Sequence, residues 1–176
     1  MHGFTEELLD KQAESLRLPL HKIYIPDPCS NEEYGQIMSE FLTKMQKRGI
    51  DTVVFGDLFL EDIRKYREEN LARQNMKALF PLWDEPTTNV ALKFIRDGFK
   101  AVITCVDLNV LPKEFSGLSY NMDLLGDLPV NVDPCGENGE FHTFVFDGPL
   151  FSSPVKWEKG EQVIRYDRFC YTDLTS

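Results

Sequence analysis

No stretch of this sequence approaches the roughly 20 consecutive apolar residues that a membrane-spanning helix requires, and Met1-His2-Gly3-Phe4 begins nothing like a secretory signal. Neither Gly-x-Gly-x-x-Gly nor the Walker phosphate loop occurs, so any bound nucleotide is held by another device. The absence of a Gly-x-Ser-x-Gly elbow argues against a serine hydrolase built on that turn. Cysteine is sparse and scattered: Cys29, Cys105, Cys135 and Cys170 form no Cys-x-x-Cys pair, a pattern of free thiols in a reducing cytosol. Positive charge is also short, with 19 Lys and Arg against 29 Asp and Glu for a formal charge of -10. Such a surface repels a phosphate backbone, although a local basic site is compatible with it. These absences lead us to expect a soluble, cytoplasmic protein with neither membrane nor nucleic acid as partner.

What is present is enough for one substantial core: 176 residues, 42% hydrophobic, without internal repeats or low-complexity linkers. Thr5 caps a helix whose apolar face is Leu8, Leu9, Ala13 and Leu16. Leu20 to Ile25 reads as a strand. Ser30 and Glu33 form a capping-box signal ahead of the helical spacing Tyr34, Ile37, Met38, Phe41, Leu42, Met45, which Gly49 stops. Strand Asp51 to Phe55, helix Leu60 to Gln74, strand Lys77 to Phe80, helix Pro86 to Asp97 and strand Ala101 to Val106 follow in alternation. That alternation with short connections predicts a doubly wound, mainly parallel α/β sheet covered on both faces. Further on, a short helix is expected around Asp123 to Leu125 and a strand through Phe146. Val155 to Glu158 and Gln162 to Tyr166, joined at Lys159-Gly160-Glu161, read as a C-terminal β-hairpin, with Phe169 to Leu174 a third extended segment. Residues 1–150 are thus expected to form the α/β domain and 151–176 a hairpin packed on it.

The chemistry concentrates in Asp133-Pro134-Cys135-Gly136-Glu137-Asn138-Gly139-Glu140-Phe141-His142-Thr143. Gly136 and Gly139 can adopt positive φ and admit a ligand to the backbone, and the run leads directly into an alternating strand. The plainer reading is a polar turn with solvated glutamates. Cys135, Glu137, Glu140 and His142 are zinc-ligand types, but their spacing matches no common closed site, and no metal ligands are assigned. Gly56-Asp57 lies between a strand and a helix, where α/β sheets build ligand sites. In the helix that follows, Arg64 and Arg67 are neighbours, with Asp62 and Tyr66 beside them, and such arginines can hold phosphate or carboxylate bidentately. An exposed helix laced with ion pairs is the competing reading. For Pro81-Leu82-Trp83 it is an aromatic plug.

The order Gly56-Asp57, Asp62-Ile63-Arg64-Lys65-Tyr66-Arg67, Phe80-Pro81-Leu82-Trp83, Gly136-Glu137-Asn138-Gly139-Glu140-Phe141-His142-Thr143 and Asp147-Gly148-Pro149 resembles the diphthine-ammonia ligase family. The resemblance implies an ATP-pyrophosphatase-type fold, Rossmann-like and similar to the adenine nucleotide α-hydrolases. The implied reaction is adenylation of a carboxylate by ATP with release of pyrophosphate, after which ammonia displaces AMP to give an amide. The implied carboxylate is that of diphthine on translation elongation factor 2, and Mg2+ is the implied companion of ATP. On this basis Asp57 with Arg64 or Arg67 handles phosphate or the substrate carboxylate, and Glu137 and Glu140 receive ammonium or a cationic substrate. Gly136, Asn138 and Gly139 shape that pocket, and Gly56, Asp62, Trp83, His142 and Thr143 complete the candidate binding residues.

Members of that family open with a strand, a Ser-Gly-Gly-Lys-Asp-Ser phosphate loop and a helix, none of which occurs here. The expectation is therefore a fold lacking its first strands, with Met1 an internal methionine or an artificial boundary. The exposed edges then predict a marginal fold, or one that covers them with an upstream fragment or with another copy as a homo-oligomer. Two alternatives accompany the ligase reading: an amide ligase for another small carboxylate, and a nucleotide- or partner-binding module without turnover.

Overall fold

The computed structural model describes residues 4–26 and 28–176, and its fold follows the capping signals closely. Helix α1 (Glu6–Ser15) starts where the Thr5 side chain accepts from the Leu8 amide. Helix α2 (Asn31–Gln46) starts at a complete capping box, Ser30 accepting from the Glu33 amide while Glu33 reaches back to Ser30. Then come β1 (Thr52–Val54), α3 (Glu61–Ala72), β2 (Lys77–Leu79), α4 (Thr87–Arg96), β3 (Lys100–Asp107), β4 (Ser119–Tyr120), α5 (Met122–Asp127), β5 (Phe141–Asp147), β6 (Glu158–Arg165) and β7 (Phe169–Thr175).

Two compact units result: His21–Asp84 forms one, and the residues up to Leu20 form the other together with Glu85–Ser176. In the first unit β1 and β2 pair in parallel, Val53 opposite Ala78. Leu42, Leu71 and Met76 form a small core on this two-stranded sheet, with Phe41, Val53 and Phe55 packed against it.

The second unit is built on β3, whose seven residues after Lys100 are all buried. Strand β5 runs antiparallel along one edge of β3, and β4 and β7 share the other, also antiparallel. The sheet ends with β6 on β7. Both faces are covered. Leu8, Val102, Phe144, Val155 and Leu174 form one cluster, while Ile103, Val106, Leu111, Tyr120 and Phe141 are central to the other.

This architecture corrects the expected doubly wound, mainly parallel Rossmann-like sheet. Among the described residues the main sheet has five antiparallel strands, and parallel pairing is confined to β1 with β2 and an isolated Phe4 to Leu174 bridge. The alternation of helix and strand along the first hundred residues was real, but β3 takes its partners from downstream segments and not from β1 or β2. Leu20 to Ile25, expected as a strand, has no regular secondary structure.

The C-terminal hairpin is also displaced. Residues 159–161 lie within β6, and the turn is at Tyr166, Asp167 and Arg168. Tyr166 and Asp167 both occupy the left-handed region, at φ 55° and 50°. Gly160 sits in a register shift of β6, where an added Cβ would come 3.0 Å from the Asp173 carbonyl oxygen, so the glycine permits close strand approach and not a turn.

Candidate functional site

The loop before β5 is organised by its own carboxylates. Glu140 is buried, 5% exposed, and its side chain accepts from the Asp133 amide at 3.0 Å, the Asn138 amide at 2.9 Å and the Asn138 side-chain amide at 3.0 Å. Burial alone would raise the Glu140 carboxyl, but these donors together outweigh it and hold its pKa below the usual carboxylate range. Asp133 works the same way at the other end, its Oδ1 accepting from the Cys135 amide at 2.8 Å and the Glu137 amide at 3.3 Å. Gly136 and Gly139 have φ of 70° and 84°, as a ligand-facing or tightly turned loop requires. At Gly136 the requirement is doubled, because a Cβ would lie 2.8 Å from the Phe141 carbonyl oxygen.

Three anchors fix this loop, two to the sheet and one to α4. The Asp107 amide donates to the Glu140 carbonyl at 2.9 Å, the Tyr120 hydroxyl donates to the Pro134 carbonyl, and the Cys135 thiol donates to the carbonyl of Thr87, the first residue of α4. Cys135 lines a cavity of about 130 Å³ with Val90, Phe94, Tyr120, Phe141 and Thr143. Burial, then the nearby Asp133 and Glu137 charges, pushes the thiol up to about 12. It is therefore a neutral donor at neutral pH and not a nucleophile. Glu137 and Asn138 remain towards the tip, and His142 and Thr143 are exposed on β5.

The second group of candidates lies in the unit of residues 21–84. The Arg67 Nη2 donates to Asp57 Oδ1 at 3.1 Å, and its guanidinium stacks 4.4 Å from the centre of the Phe55 ring. Arg67 Nε and Asp57 Oδ2 are 2.8 Å apart as an ion pair, but both are buried and out of hydrogen-bond alignment. Arg64 pairs with Glu68 at 2.9 Å and lies over Trp83 and Phe80, with 4.6 Å and 5.0 Å to their ring centres. Trp83 also meets Phe80 edge-to-face, their ring centres 6.0 Å apart. Asp62 is exposed in the first turn of α3, where a negative charge favours the helix dipole, and Gly56 is exposed beside Asp57. The structure therefore joins Asp57 to Arg67 and Arg64 to Trp83 within one unit, and Glu137 to Thr143 along one loop and strand in the other.

Sequence reasoning missed the ion pair that closes the end of β3. Asp107, 5% exposed, accepts from Arg168 Nε at 2.9 Å and from Nη2 at 2.6 Å, and also from the Asn109 amide. An aspartate ending a mostly apolar strand signals a buried charge in need of a cation, but nothing local identifies that cation as residue 168. Arg168, followed by burial and the Asn109 amide, sets the balance that keeps the Asp107 carboxyl below its ordinary range.

Among the described residues no group of three or more His, Cys, Asp or Glu is placed to hold a metal ion. Among them, too, no helix is long and apolar enough to cross a membrane.

Comparison with known proteins matches residues 87–173 to the diphthamide synthase C-terminal domain, a span that includes the whole Asp133 to Thr143 segment. The chain is 27% identical over 174 residues to a diphthine--ammonia ligase of Mus musculus, covering 89% of this chain and 64% of the relative. The Homo sapiens enzyme of that name is 26% identical with the same coverages. That of Danio rerio is 28% identical over 177 residues, covering 92% of this chain and 69% of the relative. This chain therefore spans about 64% of the length of the mammalian relatives that it matches.

Proposed function

We propose, from the premise that this chain is a relative of the diphthine--ammonia ligases, that it contributes to an ATP-dependent amide ligase acting on a carboxylate and ammonia, with diphthine on elongation factor 2 as the carboxylate bearer. The observation that carries this reading is the match over residues 87–173, because it contains the loop in which buried Glu140 and half-buried Asp133 accept from the loop's own backbone amides. Such a loop is preorganised, and preorganised polar groups are what a reacting centre needs.

We infer a division of work between the two glutamates. Three donors engage Glu140, which supports a positioning role for it, and Glu137, towards the tip, is the side chain we assign to ammonium or a cationic substrate group. Asn138 and the backbone at Gly136 and Gly139 border it. In the other unit Arg67, oriented by Asp57 and Phe55, and Arg64, oriented by Trp83 and Phe80, are the groups we assign to phosphate or carboxylate. ATP, when bound, supplies the adenylyl group that activates the carboxylate. Asp57, Asp107 and Glu140 are already engaged by Arg67, Arg168 and loop amides, so they form no dedicated magnesium cage, and no step is assigned to that ion.

The test is an assay of the purified protein with ATP, ammonium and diphthine-bearing elongation factor 2, reading AMP and amide together. ATP-dependent amide formation that drops at least tenfold in Glu137→Gln, with melting unchanged, supports the reading. Amide formation unaffected by Glu137→Gln and Arg67→Gln refutes the assigned roles. Nucleotide binding without AMP formation points instead to a binding module, and turnover with a different small carboxylate to another ligase specificity.

A further inference from the structure

We propose that the cleft between α2 and α3 is a binding site for a small organic anion with a flat apolar body, its charge a carboxylate or a phosphate ester. The cleft has a volume of about 440 Å³ and lies wholly within residues 34–74. That size is ordinary for a small-molecule site.

Its lining runs against the net charge of the chain. In a chain whose acids outnumber its bases 29 to 19, the cleft is lined by two arginines, Arg67 and Arg73, and by no aspartate or glutamate. The walls are aromatic and apolar, with Tyr34 from α2, Tyr66 and Ile63 from α3, and Phe55. Flat ligand bodies stack on such rings, and guanidinium groups beside them select for negative charge.

Arg67 is preset for a second anion. A guanidinium carries five N–H donors, and Asp57 receives one aligned hydrogen bond from it, while the buried Nε faces Oδ2 without alignment. Phe55 fixes the plane of the group from below. Arg73, exposed at the end of α3, makes a long 3.4 Å bond to Asn70 and supplies a second cation to the same cleft.

Gly35 gives the site a steric handle. It lies inside α2 and lines the cleft, and a Cβ placed there meets nothing within 4 Å. A large side chain at that position enters the cleft without displacing packed atoms, and the helix gains from the loss of a glycine. This inference extends the assignment of Arg67 to anion binding, and its test reads binding alone, so failure of the ligase assay leaves it standing.

Isothermal calorimetry on the whole chain with AMP, indole-3-acetate and adenosine decides it. AMP or indole-3-acetate is expected to bind at least about tenfold more tightly than adenosine, since charge-assisted bonds to arginine are the stronger ones. Preference for AMP identifies a phosphate and preference for indole-3-acetate a carboxylate. Arg73→Gln should weaken the preferred anion about tenfold, and Gly35→Phe should abolish binding while keeping the wild-type melting temperature. Equal affinity for adenosine, binding retained in a folded Gly35→Phe protein, or no binding of any probe at millimolar concentration overturns the proposal.

Discussion

Replacing Glu140 by alanine removes one acceptor shared by three donors, the amides of Asp133 and Asn138 and the Asn138 side chain. Hydrogen bonds to a charged group contribute about 1.5–3 kcal/mol each, but the three share one carboxylate and the loop margin regains water, so we expect a net loss of roughly 3–4 kcal/mol. For a chain of this size that is a fall of roughly 6–15 °C in the transition of the antiparallel unit. Glu140→Gln keeps the stem and one acceptor oxygen but turns an amide group towards backbone donors, so its cost should be about 1–2 kcal/mol. The depressed pKa fixes the pH dependence. A carboxylate more acidic in the folded than in the unfolded protein stabilises fully above the unfolded value, and that contribution is lost as pH falls through the folded value. The gap between wild type and Glu140→Gln should therefore be widest near neutrality and shrink on acidification below about pH 4. Scanning calorimetry from pH 7 to 3, with hydrogen exchange at the Asp133 and Asn138 amides, measures both effects. A Glu140→Ala protein within about 0.5 kcal/mol of wild type, with those amides still protected, would refute the reasoning.

Gly136→Ala must hold φ near 70° with its Cβ 2.8 Å from the Phe141 carbonyl oxygen. We expect a loss of about 1–3 kcal/mol in thermal unfolding, whereas Gly139→Ala, with open space around it, should cost less. Cys135, with its thiol raised to about 12, should react with iodoacetamide at pH 8 roughly a thousandfold more slowly in the folded chain than after unfolding, as thiol mass labelling will show. Because its folded pKa lies above the unfolded value of about 8.5, the stability linked to it is present below that pH and is lost as pH rises towards 12, and Cys135→Ala should flatten that decline.

The local elements were legible because their signals are local. Thr5, Ser30 with Glu33, and Gly49 mark helix ends through bonds that span three or four residues, and all three operate as the sequence predicts. The alternation in Phe141 to Phe146 also holds, with Phe141 and Val145 packed on one face of β5 and Phe144 and Phe146 on the other. Pairing direction was not legible. An apolar run such as Ala101 to Val106 reads the same whether its neighbours run parallel or antiparallel, since burial on both faces is all that the run records. Gly160 misled because a glycine that avoids a clash between strands looks like one that makes a turn, while Tyr166 and Asp167 adopt a turn conformation without glycine. At the site the glycine-rich loop stood out, but the burial of Glu140 and the partnership of Asp107 with Arg168 depend on contacts that only the folded chain creates.

The sharing of one edge of β3 by β4 and β7 also sets the timetable of folding. Leu8 lies in the cluster that contains Leu174, and Phe4 bridges to Leu174, so the antiparallel unit is closed by contacts that span nearly the whole sequence. Contacts of such high order are slow to form, whereas His21–Asp84 is contiguous and can complete its β1–β2 pair from nearby residues. During synthesis the intervening unit emerges entire before β3 and every sheet partner of β3. Helix α1 is thus translated before the intervening unit, yet it must wait, with Leu8 unprotected, until Leu174 arrives.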